Sequence, residues 1–230
     1  MKIGFIGLDI VEGKTKYNDD KLNKLVEKFD PNKVTPFFAE FISSDLPKAD
    51  ALAVAGENLL DLLIQDMEKM ETRIANSSDS AEKELLKKCL KDLEAEIPLC
   101  DQKFTDEEKK ILHVLAPLSF KPTLVLESFD GDASKLIEDV LKKAQMSFFY
   151  TAGKKEVRSW LIKKGLSAVG CAEKIHSDLA RGFIKAEVVS FEDFMSVHNM
   201  HEARDKGLVK LVDRDYPISD GDVIEIRFNV

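Results

Sequence analysis

Directly after an apolar run from Lys2 to Gly7, the chain reads Gly7-Leu8-Asp9-Ile10-Val11-Glu12-Gly13-Lys14-Thr15. Two glycines, then a lysine and a hydroxyl residue, are the residue types that hold phosphate. Successive backbone N–H groups converge on one phosphate while the lysine reaches another. The working spacing, G-x-x-x-x-G-K-S/T, has four residues between its glycines. Here five intervene, and two of them, Asp9 and Glu12, are carboxylates. They repel a polyphosphate in the place where the loop must attract it. Gly7, Gly13, Lys14 and Thr15 are therefore read as a vestigial nucleotide site. No cofactor is expected; ATP or GTP with Mg²⁺ is the alternative.

A second group is basic. Lys154, Lys155, Arg158, Lys163 and Lys164, with Glu156 as the only acid, give a local +4 within eleven residues, beside Tyr150 and Trp160. Cations next to aromatic rings can grip RNA phosphates and stack on exposed bases, so Lys154, Lys155, Arg158, Trp160, Lys163 and Lys164 are the RNA-binding candidates. A strand pair kept wet by its lysines is the competing reading. His198, His201 and Glu202 stand at i, i+3 and i+4 of an expected helix, but without H-E-x-x-H spacing or a distant third ligand no metal site is expected. His176 is read as a helix-end residue that donates a hydrogen bond. Ser219-Asp220-Gly221-Asp222 reads as a turn, since the regular acid spacing of a calcium loop is missing. No nucleophile, base and orienter combination emerges, so no catalytic residue is assigned.

Strands and helices must position these groups. Apolar runs predict strands at Lys2 to Gly7, Val34 to Ile42, Ala51 to Ala55 and Thr123 to Glu127, with Pro36 forcing the second to an edge or to a start beyond it. Helical patterns alternate with them, as in an α/β sheet. Leu60, Leu63, Met67, Met70 and Ile74, answered by Leu86, Leu90, Leu93 and Ile97, predict a helical hairpin at about 57–97. Its arms would be roughly 27 Å long at 1.5 Å per residue, zipped by a narrow seam that leaves it protruding; two ordinary helices lying on the core are the alternative. From Phe148 on, short strands, a helix capped by Ser167 and ended at Gly182, and one helix from Glu192 to Lys206 predict a small mixed sheet clasping a helix.

Composition narrows the classes. Of 230 residues 44% are hydrophobic and 33% charged, which supports a folded core and excludes global disorder. Residues 148–230 hold 13 Lys/Arg and 13 Asp/Glu, so the net −8 resides in residues 1–147. Such an acidic chain is a poor nonspecific DNA ligand, and no DNA partner is expected. Three scattered cysteines fit neither a disulfide framework nor a zinc site. No apolar run reaches the roughly 20 residues of a membrane span, and the first residues turn acidic too early for a signal peptide, so a cytoplasmic protein is expected.

The stretches from Phe148 to Trp160, Ile175-His176-Ser177-Asp178, Arg181 to Val188, Asp220 to Val223 and Arg227 to Val230 closely resemble the C-terminal TGS domain of the YchF family of Obg-like ATPases. The likeness covers residues 148–230. The first half resembles the family in outline: Asn32-Lys33-Val34-Thr35-Pro36 leads into a strand ending Glu40-Phe41, the hairpin stands at the coiled-coil position, and Lys121-Pro122 precedes the last strand. The resemblance implies a remnant P-loop NTPase-like α/β sheet with a hairpin insertion over 1–147, a β-grasp-like TGS domain over 148–230, and association with ribosomes. Departures follow. Where the family has Asp-x-x-Gly near Mg²⁺, this chain has Ser43-Ser44-Asp45-Leu46, and where base-reading Asn-x-x-Glu follows Lys-Pro, it has Ser128-Phe129-Asp130-Gly131. The expected function is a truncated, non-catalytic, translation-associated module binding the ribosome or structured RNA. Alternatives are weak retained ATP or GTP binding, and a protein scaffold using the hairpin.

Overall fold

The computed structural model describes residues 1–229. Contacts divide the chain into two units: Met1–Thr15 with Phe38–Ala144, and Lys16–Phe37 with the chain from Gln145 onward. The later division falls beside the expected boundary at 147. Residues 16–37 group by contacts with the second unit rather than with the rest of 1–147. The physical reason is Pro36, which interrupts the apolar run from Val34 to Ile42 by removing a ladder donor. Its two parts become β3 (Val34–Thr35) and β4 (Phe38–Ile42), in different sheets.

In the first unit β1 (Lys2–Ile6), β2 (Gly13–Lys16), β4, β5 (Ala51–Ala55) and β6 (Thr123–Leu126) form a sheet in the order β2-β4-β1-β5-β6. β4, β1, β5 and β6 are mutually parallel, with Ile3 opposite both Phe41 and Ala51. Ala51, Leu52, Ala53 and Val54 are all buried, as expected of a parallel strand covered on both faces. Helices α2 (Leu59–Asn76) and α3 (Ser80–Glu94) make the hairpin; α4 (Asp106–Leu115) and α5 (Ala133–Lys143) complete the unit. Asp79 caps α3, and Thr105 with Glu108 forms a reciprocal capping box on α4.

The hairpin seam differs from the narrow one predicted. Leu59, Leu62, Leu63 and Met70 join Leu85, Leu86, Cys89 and Leu93 in one core cluster that continues into Leu52, Val54, Leu112 and Leu118. Leu60 is 45% exposed and Ile97 38%. The base of the hairpin therefore lies on the sheet and turns a wide apolar face to it, closer to the two ordinary helices of the alternative. Asp66, buried inside α2, anchors it by accepting the N–H groups of Leu118 and Ser119, each at 2.7 Å.

The second unit holds α1 (Asp20–Phe29), β3, β7 (Met146–Ala152), β8 (Val157–Lys163), α6 (Ala168–Ile175), α7 (Ser177–Arg181), β9 (Phe183–Val189), α8 (Phe191–Met195), α9 (Met200–Asp205), β10 (Lys210–Val212) and β11 (Val223–Phe228). Its sheet has the order β10-β9-β11-β7-β8-β3. Phe149, Ile162, Ala186, Val188 and Ile224 pack with Ala168, Cys171 and Ala172 of α6. Tyr150 alternates to the opposite face, where its hydroxyl donates to both carboxylate oxygens of buried Asp19 at 2.9 and 3.0 Å. Asp19 also caps α1 by accepting the Leu22 N–H. The expected single helix over 192–206 is instead α8 and α9, each with its own side-chain cap, Ser190 and Asn199.

Candidate functional site

The predicted phosphate loop begins where β1 ends. Gly7 has φ +70, and an added Cβ would lie 1.8 Å from the side-chain oxygen of Asn58, so the backbone and the Asn58 amide share a space that only glycine leaves open. The loop then returns through Gly13 (φ +121) into β2. Gly13, Lys14 and Thr15 thus lie on an edge strand beside β4, with Lys14 exposed. No helix opens at the second glycine; the next, α1, starts at Asp20. A phosphate cradle needs the converging N–H groups and dipole of a helix start, and a strand instead points its N–H groups alternately to either side.

Glu12 closes this end of the sheet. Its carboxylate accepts the N–H of Ser43 at 2.6 Å and the Ser43 hydroxyl at 2.5 Å. The Ser43 hydroxyl bond, followed by the Ser43 N–H bond, holds the Glu12 carboxyl below its ordinary range, and a Ser44 backbone bond adds to this. The chain's own anion therefore occupies donors at the carboxyl end of β4, next to the switch between β4 and β5 about β1 where open parallel sheets receive ligands. Ser128 and Asp130, read against the base-contacting motif, line a separate hollow of about 160 Å³ beside α5.

The predicted basic set is divided by the β7–β8 hairpin. Lys154 and Lys155 stand exposed in its turn, while Lys163 and Lys164 stand exposed at the opposite end of β8. The two pairs are separated by about 20 Å, six steps of roughly 3.3 Å. Between them Arg158 lies over the Trp160 ring, 3.7 Å from its centroid. Trp160 also stacks on Phe149 and donates from Nε1 to the Thr151 hydroxyl at 3.0 Å. A base reaching this ring must first displace the Arg158 guanidinium.

The histidines do not converge on a metal arrangement. His198 precedes α9 and donates its N–H to Glu202 at 2.6 Å, so the predicted helical spacing with His201 is broken. His176 sits between α6 and α7 and accepts the Asp178 N–H on Nδ1 at 3.1 Å, so its expected role as a donor is corrected to that of an acceptor cap. Asp220 and Asp222 act in the predicted turn: Asp220 accepts the Phe148 N–H and pairs with Lys21, and Asp222 accepts the Ser219 N–H.

Sequence reasoning missed a cleft of about 850 Å³ in the second unit. It opens between β11 and the β7–β8 turn, with Ile175, Leu179, Ile224 and Ile226 among its apolar lining and Lys154, Lys155, His198 and His201 among its polar lining. Its residues are far apart in sequence, so only the sheet topology joins them. Nearby, Glu187 is 1% exposed and accepts from Arg204 and Arg227; Arg204 also bonds Glu225. Burial would raise the Glu187 carboxyl, but the two arginines override it and hold the group below its usual range.

Comparison with known proteins follows these boundaries. The model of the family described as YchF-GTPase_C, protein of unknown function, matches residues 146–229. A protein of Bacillus subtilis (strain 168) named ribosome-binding ATPase YchF is 28% identical over 98% of this chain and 91% of its own length, in an alignment of 333 residues. Since this chain has 230, that relative carries segments this chain lacks. A Mycoplasma genitalium protein of the same name is 40% identical over 48% of this chain and 30% of its own length, and Obg-like ATPase 1 of Xenopus laevis is 42% identical over 42% and 24%. These two matches span less than a third of either relative. In fold, the structure titled YchF GTPase of Schizosaccharomyces pombe superposes with a TM-score of 0.79 at 17% identity, covering 99% of this chain and 97% of that one. The chain is thus similar to proteins named YchF, over residues 146–229 in the family match and over nearly its whole length in the Bacillus relative, and its mixed α/β architecture matches the fold of the structure titled YchF GTPase.

Proposed function

We propose that this chain is a cytoplasmic, ribosome-associated binding or regulatory module that no longer turns over nucleotide. Relatives named ribosome-binding ATPases support the ribosome as its partner. The observation that carries the loss of turnover is Glu12: its carboxylate takes the Ser43 donors, and the Gly13-Lys14-Thr15 segment is strand rather than cradle. Phosphoryl transfer depends on held phosphates and a placed metal at the same time, so a site without either loses most of its electrostatic stabilisation. Gly7, Gly13, Lys14 and Thr15 are then the remains of a nucleotide site.

The basic side chains of the second unit, a TGS-type domain in this reading, supply the RNA contact. Lys163 and Lys164, exposed at the end of β8 away from the 850 Å³ cleft, are free to meet phosphate, with Arg158 over Trp160 near the other end of the strand. Incubation of the purified chain with ATP or GTP and Mg²⁺ tests the reading: no phosphate release above buffer is expected. Release that disappears in Lys14→Ala overturns it in favour of a retained nucleotide site.

A further inference from the structure

β11 and β7 run parallel but are joined at a single residue pair, Val223 opposite Tyr150. Both continue past that point, β7 to Ala152 and β11 to Phe228, and β11 keeps its pairing with β9 through Phe228. The Tyr150 N–H donates to the Asp222 carbonyl at 2.9 Å, so alternation along β11 turns the peptide group of Ile226 to the same side, where β7 no longer pairs with it. The sheet is therefore split, and the 850 Å³ cleft fills the split.

The charges around it are unequal. Glu156 is bonded to the Thr35 hydroxyl and to Lys33, and Glu225 is bonded to Arg204. Among the described residues Lys154 pairs with Asp30 alone, which is 96% exposed, at 3.3 Å, and Lys155 is exposed. The charge left to face an occupant is positive, and the floor between Ile175, Leu179, Ile224 and Ile226 is apolar. An exposed strand edge with pockets for alternate side chains is the arrangement by which a sheet takes an extended peptide.

We propose that the split receives an extended acidic segment of a protein partner, added as a strand along β11, its apolar side chains on the Ile224–Ile226 side and its carboxylates at Lys154 and Lys155. This goes beyond ribosome association and stands or falls separately from it.

The test uses the full chain, ¹⁵N-labelled, and a capped eight-residue peptide alternating aspartate with valine and leucine. Titration should shift the amides of Ala152 and Ile226 and slow hydrogen exchange at Ile226. Lys154→Glu with Lys155→Glu should weaken binding about tenfold or more, the size expected for reversing contacting charges. Lys163→Glu with Lys164→Glu should leave it within about twofold, since those side chains lie outside the cleft. The same peptide N-methylated at alternate bonds should lose binding, because it cannot pair as a strand. Equal binding of a lysine-for-aspartate peptide, undiminished binding of the methylated one, no shifts at millimolar peptide, or displacement by oligouridylate would each overturn the proposal, the last in favour of RNA.

Discussion

Two buried carboxylates of the second unit titrate in opposite senses. Burial raises Asp19 above the usual aspartate range, against the Leu22 N–H and Tyr150 hydroxyl bonds that lower it. The native state then holds that proton more tightly than the unfolded chain, so the stability gained from it is present below about pH 4 and is lost as pH rises through the raised value. Glu187 is held low by Arg204 and Arg227, so its contribution is present above about pH 4 and is lost as pH falls through its lowered value. Urea midpoints measured from pH 3 to 7 should show Asp19→Asn removing the decline above pH 4 and Glu187→Gln removing the loss on the acid side. At pH 7, Glu187→Ala should cost about 1–3 kcal/mol rather than more, because Arg204 and Arg227 are 37% and 51% exposed and can rehydrate. None of these partners was legible in the sequence, since Asp19 meets Tyr150 across 131 residues and Glu187 meets Arg227 across 40.

Elements were more legible than their contacts. The cap at Ser167 is read from its place ahead of an apolar helical repeat, and the structure forms it, the Ser167 side chain accepting the Gly170 N–H. The alternating strands of the first unit follow the predicted runs for the same local reason. The hairpin shows where periodicity stops: a 3.6-residue repeat sets which side chains share a face, but the sheet beneath decides how wide that face is. Hence Leu63→Ala should cost about 2–5 kcal/mol and Leu60→Ala under about 0.5 kcal/mol in chemical denaturation. Asp66→Ala should cost about 1–3 kcal/mol by stranding the buried N–H groups of Leu118 and Ser119. Equal costs at Leu60 and Leu63 would restore the narrow seam. The Gly13–Lys16 strand was illegible because a glycine-lysine-threonine run reads as loop by composition and becomes strand only against β4.

At the scale of the molecule, acidity is concentrated before residue 148, and the cations suited to phosphate stand on the balanced remainder. Ribosome co-sedimentation should weaken steeply with salt. Lys163→Ala with Lys164→Ala should reduce the slope of log binding against log salt by about 1.4, near 0.7 for each single-strand phosphate contact. An unchanged slope would move the contact elsewhere. The family resemblance read from the C-terminal stretches agrees with the match at residues 146–229, while the grouping of residues 16–37 with the second unit was not legible, because it depends on contacts distant in sequence. In the proposed function, the chain's own Glu12 and the β2 strand leave no seat for a triphosphate. Equilibrium dialysis of the purified chain against labelled ATP and GTP with Mg²⁺ tests it most directly. No saturable uptake is expected at millimolar nucleotide; saturable uptake that Lys14→Ala abolishes would overturn the loss of the nucleotide site.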